Sequence, residues 1–523
     1  MMTRPRILVT EALGPKGLEY LKQHADVDAY DLLPPEELPS MMHNYDAVII
    51  RSAHRLTRDL LAGHPRLKVV ARAGAGVDNV DLDAATEFGI AVVNAPGANA
   101  IAAAEHTFAL MLATMRNIPA GDQHVREGSW DRARFLGHEL YERQLGIIGL
   151  GRVGRQVARI AHGFRMKVAS YDPFLSSDVF RALEVQEHTA LDDLLRSSEI
   201  LTIHTPKSGP KLGERELRLL PRGAVVMNVA RGGLIDEQAL ARLIQEGHLK
   251  AAGVDVFSHE PPDSDSPLFR VPHLVTTPHL GGSTHEAMVE VGMMTARGVL
   301  QALENQTPSN LVNVPIPEMP DADLVAIERA VRIAGDVFSR FEPKAQGPLI
   351  LSLGTHLSGS PVPWLRQAAL AAFLDQRVDE RVNTINALVV AQRQGIHLLV
   401  EESRATLPER AISLRWEGRP ESEVAFSIGE SGQIILRTIA GIPMELPWPG
   451  IALVTRHRDA PGVVGRVGTT VGQFQMNIGQ LYLGRRAAGD EAVMVLSLDA
   501  LPTPELMTAI NQQPDIRSVY VFG

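Results

Sequence analysis

The stretch GLGRVG, residues 149–154, constrains this chain more than any other. It follows the apolar run QLGII and opens the stretch RVGRQVARIA, the strand–turn–helix setting in which a GxGxxG pattern carries meaning. Gly149 permits a tight turn, Gly151 lets a pyrophosphate approach the backbone, and Gly154 lets the helix close on the strand. The helix start offers free N–H groups and partial positive charge to phosphates. Asp172 ends the next apolar run, VASYD, at the position where a carboxylate takes ribose hydroxyls. Pro173 and Phe174 follow it rather than a basic residue, which favours NAD over NADP. A glycine turn used only for packing is the alternative; strand, helix and Asp172 together favour a dinucleotide site.

Around this loop, short apolar runs alternate with helical patterns. Strands are expected at Ile7–Thr10, Ala47–Ile50, Val69–Ala71, Ala91–Asn94, Gln144–Ile148, Lys167–Tyr171, Ile200–His204, Ala224–Asn228, Ala252–Asp255 and Leu274–Thr277. Helices are expected at Ile101–Met115, Arg152–Ala161 and His285–Glu304. Most of the strands are apolar throughout, as in parallel sheets covered on both faces. The class is α/β, with too many strands for one sheet, so two doubly wound Rossmann-like domains are expected.

At 523 residues the chain has room for further domains. The proline-rich TPSNLVNVPIPEMPDAD (prolines 308, 315, 317 and 320) reads as a linker. A mixed α/β region follows, with helices around Asp321–Phe341, Pro363–Asp375 and Asn383–Gln394, and IPMELPWPG reads as a second joint. The tail then runs strand, helix, strand, strand, helix, strand: Ile451–His457, Pro461–Phe474, Asn477–Arg485, Ala492–Asp499, Pro504–Asn511 and Val519–Phe522. That is the ferredoxin-like order. Within it, HRDAPGVVGRVG lacks the close GxG pair of a dinucleotide loop. Its Gly462, Gly465 and Gly468 are expected on one helical face, letting the helix lie close on its sheet.

Net charge is −10 with no dense basic block, which argues against a nucleic-acid-binding surface. Cysteine is absent, excluding disulfides and thiolate metal sites, and no metal is expected. The start, MMTRPRILVTEAL, has no signal-peptide core and no run is long enough to span a membrane; a cytoplasmic protein is expected.

Three motifs sit at strand ends, where open α/β sheets bind ligands: NVARGGLID with Arg231, GVDVFSHEPP with Asp255 and Glu260, and TTPHLGGST with His279. Oxidising a secondary alcohol needs a base, for which histidine is suited near neutral pH. A carboxylate beside it fixes the tautomer and stabilises the cation. Arginine binds a substrate carboxylate bidentately. Singly, each residue has a bland role to hand; Arg231 can cap a helix and Glu260 can be a solvated loop charge. As an ordered set after a nucleotide loop they suit a 2-hydroxy acid.

The motifs RSAHRLT, VVARAGAGVDNVDLDAATEFGIAVVNAPG, AAEHTFALMLA, GIIGLGRVGRQVA, YDPF, LTIHTP, NVARGGLIDE, GVDVFSHEPP and TPHLGGST resemble the D-isomer-specific 2-hydroxy-acid dehydrogenases nearly end to end. The resemblance implies Arg231, Glu260 and His279 as the catalytic set. It implies cofactor contacts from Gly149, Gly151, Arg152, Val153, Gly154, Asp172, Thr205, Ala230, Gly281 and Gly282, with Asp255 near the nicotinamide amide. It places Arg51, Arg72, Gly74 and Asn99 at the substrate, and Arg134 where a basic residue reaches a partner subunit's site. The implied substrate is 3-phosphoglycerate, oxidised to 3-phosphohydroxypyruvate at the entry to serine synthesis by a homo-oligomer, expected as a tetramer. Ala75 and NAPGANA depart from the family pattern and put fine substrate contacts in doubt.

The implied domains are a discontinuous substrate domain (1–99 and 283–315), an NAD domain (100–282), an intervening regulatory domain (316–445) and an ACT domain (446–523). ERVNTINALVVAQRQGIHLLVEES resembles the intervening domain of long-form members, with Leu388 where proline is usual. Arg377, Arg381 and Arg393 there read as solvated helix charges rather than an anion site. In the tail, His457, Asp459 and Asn477 are implied as an L-serine effector site; the bland alternative is that Asp459 simply caps the helix near Pro461, and both roles can hold together. Two rivals remain: a glyoxylate or hydroxypyruvate reductase, and a nucleotide-sensing binding protein on the same fold.

Overall fold

A computed structural model describes residues 4–304, 306–316, 321–342, 344, 347–359 and 361–523. Pro317 and Pro320 of the expected linker lie outside the described residues. The chain divides into two compact units. The first comprises Met1–Arg55, Val69–Asn79 and Val93–Asn310; the second comprises Leu56–Lys68, Val80–Val92 and Leu311–Gly523.

The first unit holds two parallel sheets. In one, Asp26–Ala29, Arg6–Val9, Ala47–Ile50 and Val69–Arg72 pair in that order. The middle strands are fully buried or nearly so. Asp26–Ala29 is an exposed edge whose sequence DVDA has no apolar run, so the sequence did not announce it. The strand Ala91–Val93 falls where the two units divide.

The second sheet has seven strands in the order Leu274–Thr276, Leu249–Val254, Ala224–Asn228, Ile200–Ile203, Gln144–Ile148, Lys167–Tyr171, Gln186–Glu187, all parallel. The order reverses at Gln144–Ile148, and the glycine loop leaves that strand's C-terminal end. This is the switch point at which doubly wound sheets bind ligands.

Helix Pro15–His24 packs on helix His285–Leu303 through glycines. A Cβ on Gly17 would lie 2.4 Å from the Gly292 carbonyl carbon, so the two backbones touch there. Thr284 caps the second helix by accepting from Ala287 N–H at 3.1 Å.

In the second unit, a six-stranded sheet runs Leu398–Glu401, Leu349–Leu353, Ala411–Trp416, Arg419–Ile428, Ile434–Ile439, Ile442–Pro447. Helices Asp321–Phe341 and Val362–Leu374 contribute to its core, where Phe338, Phe373 and Trp416 meet ring to ring. The expected joint IPMELPWPG is in fact the edge strand of this sheet over Ile442–Pro447. Proline is tolerated on an edge because no outer neighbour requires its missing N–H.

Arg377 and Arg381 are not solvated charges as expected. Arg377 donates to the Ser339 and Glu342 carbonyls, and Arg381 donates to the Leu67 carbonyl at 3.2 Å. Arg393 pairs with Glu87, which helps hold Val80–Val92 in this unit.

The tail forms the expected βαββαβ order as an antiparallel sheet, Ile478–Arg485, Glu491–Leu498, Ala452–Arg458, Ile516–Phe522. Its first helix, Val463–Gln473, buries Val463, Val467, Thr470 and Val471. The glycines do not face the sheet: a Cβ on Gly465 or Gly468 would meet nothing within 4 Å. Gly462 instead is the N-cap, at φ +88°. The β-branched side chains take the buried face, and the glycines are left outward.

Candidate active site

The nucleotide loop has the geometry its glycines require. Gly149 sits at φ +89°, a region costly for other residues. A Cβ on Gly154 would lie 2.1 Å from the Gly149 carbonyl oxygen, whereas one on Gly151 would meet nothing within 4 Å. The loop is therefore closed at the helix and open at its centre. Helix Arg152–Gly163 begins at Gly151 without a side-chain cap, leaving its first N–H groups for an anion.

Arg152 lies against Gly97, where a Cβ would come within 2.6 Å of its Cδ; Val153 is half-buried beside it. The Asp172 carboxylate accepts from Leu150 N–H at 2.9 Å and Phe174 N–H at 3.1 Å, tying the loop to the next strand. Thr205 Oγ1 is buried with no hydrogen-bond partner among the described residues. An orphaned hydroxyl beside an open phosphate loop fits NAD.

His279 and Glu260 are brought together from separate loops: His279 Nδ1 lies 2.8 Å from Glu260 Oε2. The other carboxylate oxygen of Glu260 accepts from Phe257 N–H at 3.0 Å. His279 is left-handed, at φ +55°, a conformation that costs roughly 1–3 kcal/mol and needs surrounding support. The support comes from Asp255. Its backbone carbonyl accepts from His279 N–H at 2.9 Å. Its fully buried carboxylate accepts from Leu280 N–H at 2.7 Å, Gly281 N–H at 2.8 Å and Thr277 Oγ1 at 2.6 Å.

His106 Nε2 completes the group, 2.9 Å from Thr277 Oγ1 and 3.3 Å from Asp255 Oδ1. Burial works to raise the Asp255 pKa, but His106, Thr277 and the two N–H groups outweigh it and hold the carboxyl below its ordinary value. Asp255 thus spends its oxygens on the loop that carries His279. Gly281 packs on Val229, and Gly282 packs on the Asn99 amide.

A cavity of about 310 Å³ opens in front of this pair, with Arg51, Arg72, Gly74, Asn99, Glu260 and His279 in its wall. Arg72 and Gly74 are in its wall, whereas Arg231 lies outside the wall, over the neighbouring Gly76 of the same glycine turn. A Cβ on Gly74 would strike Arg72, and one on Gly76 would lie 2.3 Å from Arg231 Nη2. Arg231 Nε donates to Asp78 Oδ2 at 3.2 Å and Nη1 donates to the Ala230 carbonyl at 2.7 Å.

The loop carrying Arg51 is clamped from two sides. The buried Glu11 carboxylate accepts from the N–H groups of Arg51, Ser52 and Ala53 at 2.9–3.2 Å. The Asn79 amide donates to the Arg51 and His54 carbonyls at 2.7 Å each. Burial first, then the charges of Arg231 and Arg51, push the Arg72 pKa down. The chamber therefore concentrates positive charge that its own carboxylates do not balance.

Glu11, Asp78, Asn79, His106 and Thr277 had not been singled out. Asp78 and Asn79 lie inside the quoted GVDNV stretch, His106 inside AAEHTFALMLA and Thr277 inside TTPHLGGST; the motifs carry these residues, but no local pattern marks which distant partner each one meets. Arg134 lies exposed in the turn Ala133–Phe135 and outside the cavity wall.

The three expected effector residues are not hydrogen-bonded to one another. His457 is buried, 3.1 Å from Thr455 Oγ1. Asp459 accepts from Arg485 at 3.0 Å and Gly489 N–H at 3.1 Å, so it braces the strand ends rather than capping the helix. Asn477 donates to Asp499 at 3.1 Å.

A model of the D-isomer specific 2-hydroxyacid dehydrogenase NAD-binding domain matches residues 108–281. The D-3-phosphoglycerate dehydrogenase of Methanocaldococcus jannaschii is 34% identical over 99% of both chains. That of Mycobacterium tuberculosis is 35% identical over 98% of both. Among solved structures, a glyoxylate reductase from Paecilomyes thermophila is similar with TM-score 0.55 at 28% identity, covering 60% of this chain and 99% of its own. Escherichia coli D-lactate dehydrogenase gives TM-score 0.52 at 26% identity, covering 59% of this chain and 99% of its own.

Proposed function

The chain belongs to the D-isomer-specific 2-hydroxyacid dehydrogenase family, and we propose that it oxidises the C2 hydroxyl of D-3-phosphoglycerate to 3-phosphohydroxypyruvate with NAD, the first step of L-serine biosynthesis. The observation that carries this reading is coverage. The phosphoglycerate dehydrogenases align with 98–99% of the chain, whereas the glyoxylate reductase and lactate dehydrogenase structures reach only 59–60% of it.

The cavity supports the same substrate. Arg231, through Nη2, receives the carboxylate beside the reacting carbon. Arg51 and Arg72 receive the phosphate, and a trianionic substrate offsets the crowded charge that depresses Arg72. Glu260 accepts from His279 Nδ1, which leaves Nε2 to take the hydroxyl proton. As C2 becomes a carbonyl, Arg231 stabilises the reacting oxygen and Glu260 the imidazolium. The Gly149–Gly154 loop with Asp172, Thr205 and Ala230 would hold NAD, which would supply the hydride acceptor. Initial rates of NADH formation with D-3-phosphoglycerate, glycolate and D-lactate test the reading. A clear preference for the phosphorylated acid supports it; equal or better rates with glycolate indicate a reductase of the shorter kind.

The tail is part of the same reading, as an ACT module sensing L-serine through Asp459 and its neighbours, in a homotetramer. The βαββαβ order supports it. Serine titrated against initial rates tests the first point, where an unchanged rate and KM remove it. Light scattering tests the second, where any mass other than four chains removes it.

A further inference from the structure

A second cluster of cations lies at the N-terminal ends of the central strands of the seven-stranded sheet, opposite the strand ends that carry the nucleotide loop. Arg143 and Glu199 immediately precede the strands Gln144–Ile148 and Ile200–Ile203. Arg222 lies just before Ala224–Asn228, and Lys250 is the second residue of Leu249–Val254. With His138 they surround a cavity of about 140 Å³. Glu199 is its one carboxylate, and it is occupied by Arg143 Nη1 at 2.6 Å and Gln144 N–H at 2.9 Å.

His138, Arg222 and Lys250 are exposed, and their side chains make no hydrogen bond or ion pair among the described residues. Positive charge is thus gathered there without a counter-ion. The two titratable members respond to it: burial, then Arg143, push the Lys250 pKa down, and burial, Lys250 and Arg143 do the same to His138.

We infer that this cavity binds one phosphate-sized dianion, held by Arg222, Lys250 and Arg143, at a site separate from the catalytic cleft. The space is large enough for an oxyanion group, and with Arg143 paired to Glu199 the charges of Arg222 and Lys250 remain to meet two negative charges. The source of the group is either free inorganic phosphate or the head of a small phosphomonoester.

Lys250 is its own reporter, because a lysine with a lowered pKa acylates readily. The intact protein is labelled at constant ionic strength with an N-hydroxysuccinimide acetate, and Lys250 acetylation is followed by peptide mapping. Rising inorganic phosphate, replaced by chloride in the control, is expected to slow Lys250 labelling saturably. The slowing should reach about tenfold at ten times the dissociation constant, while the exposed Lys207 and Lys211 are unaffected. Arg222→Met should abolish the protection and leave NADH formation unchanged. Glycerol phosphate in a parallel arm separates the sources: protection by both ligands marks a phosphomonoester head, and protection by phosphate alone marks the free ion. Lys250 labelling that follows ionic strength only, or protection that survives Arg222→Met, overturns the site.

Discussion

Replacing Thr277 by valine tests whether the Asp255 network holds the catalytic histidine in place. Valine keeps the shape of threonine and removes only the hydroxyl, which sits 2.6 Å from Asp255 Oδ1 and 2.9 Å from His106 Nε2. One hydrogen bond to a buried, charged carboxylate contributes about 1.5–3 kcal/mol. His106 then lacks its closer partner, while Leu280 and Gly281 N–H keep their bonds to Asp255. The loss falls on the loop between Leu274–Thr276 and His285–Leu303, whose histidine is already in a left-handed conformation. At 1.36 kcal/mol per tenfold, about 2 kcal/mol corresponds to a fall of roughly 30-fold in kcat/KM. The Leu280 and Gly281 N–H bonds to Asp255 and the separate Gly149–Gly154 loop are left intact, so the Kd for NADH, followed by nicotinamide fluorescence, should change less than kcat/KM does. A Thr277→Val enzyme with kcat/KM within twofold of wild type would refute the argument that this network positions His279.

Arg72→Ala should lower kcat/KM for D-3-phosphoglycerate by about 10–100-fold, the loss of one charge-assisted contact, while rates with an unphosphorylated 2-hydroxy acid hold steady; retained preference would sink the phosphate assignment. Gly154→Ala places a methyl 2.1 Å from a backbone oxygen. It should cost about 1–3 kcal/mol, read as a lowered unfolding temperature and weakened NADH binding. His457 has its pKa lowered by burial, so the unfolded chain binds the proton more readily. Its contribution to stability is therefore present above the unfolded value of about 6.5 and is lost as pH falls below it. The unfolding temperature should drop between pH 7 and pH 5.5 in the wild type, and His457→Gln should flatten that drop.

The parallel strands were legible because burial on both faces leaves an unbroken apolar run, as in AVII and AVVMN. DVDA at 26–29 and QE at 186–187 were not, because they are short exposed edges. The prolines of IPMELPWPG suggested a joint, but Pro443 and Pro447 pair within an edge strand, opposite Thr438 and Ile435. The glycines after Pro461 suggested a close helix face, yet β-branched valines outcompete glycine for the buried side. At the site, the residues proposed to meet substrate stood out through their charge and their place at strand ends. Those that hold them did not. Glu11 reaches Arg51 across 40 positions and His106 reaches Thr277 across 171, and a single sequence carries no mark of such pairs.

The most direct test of the account is the fate of the C2 hydrogen. With D-3-phosphoglycerate deuterated at C2, the enzyme should deliver one deuterium per turnover to the nicotinamide ring, none to water, and 3-phosphohydroxypyruvate in equal amount. His279→Ala should stop the transfer while NADH still binds. Deuterium released to solvent without reduced nicotinamide, or transfer undiminished in His279→Ala, would contradict the assignment of this cleft as a hydride-transferring site for a phosphorylated 2-hydroxy acid.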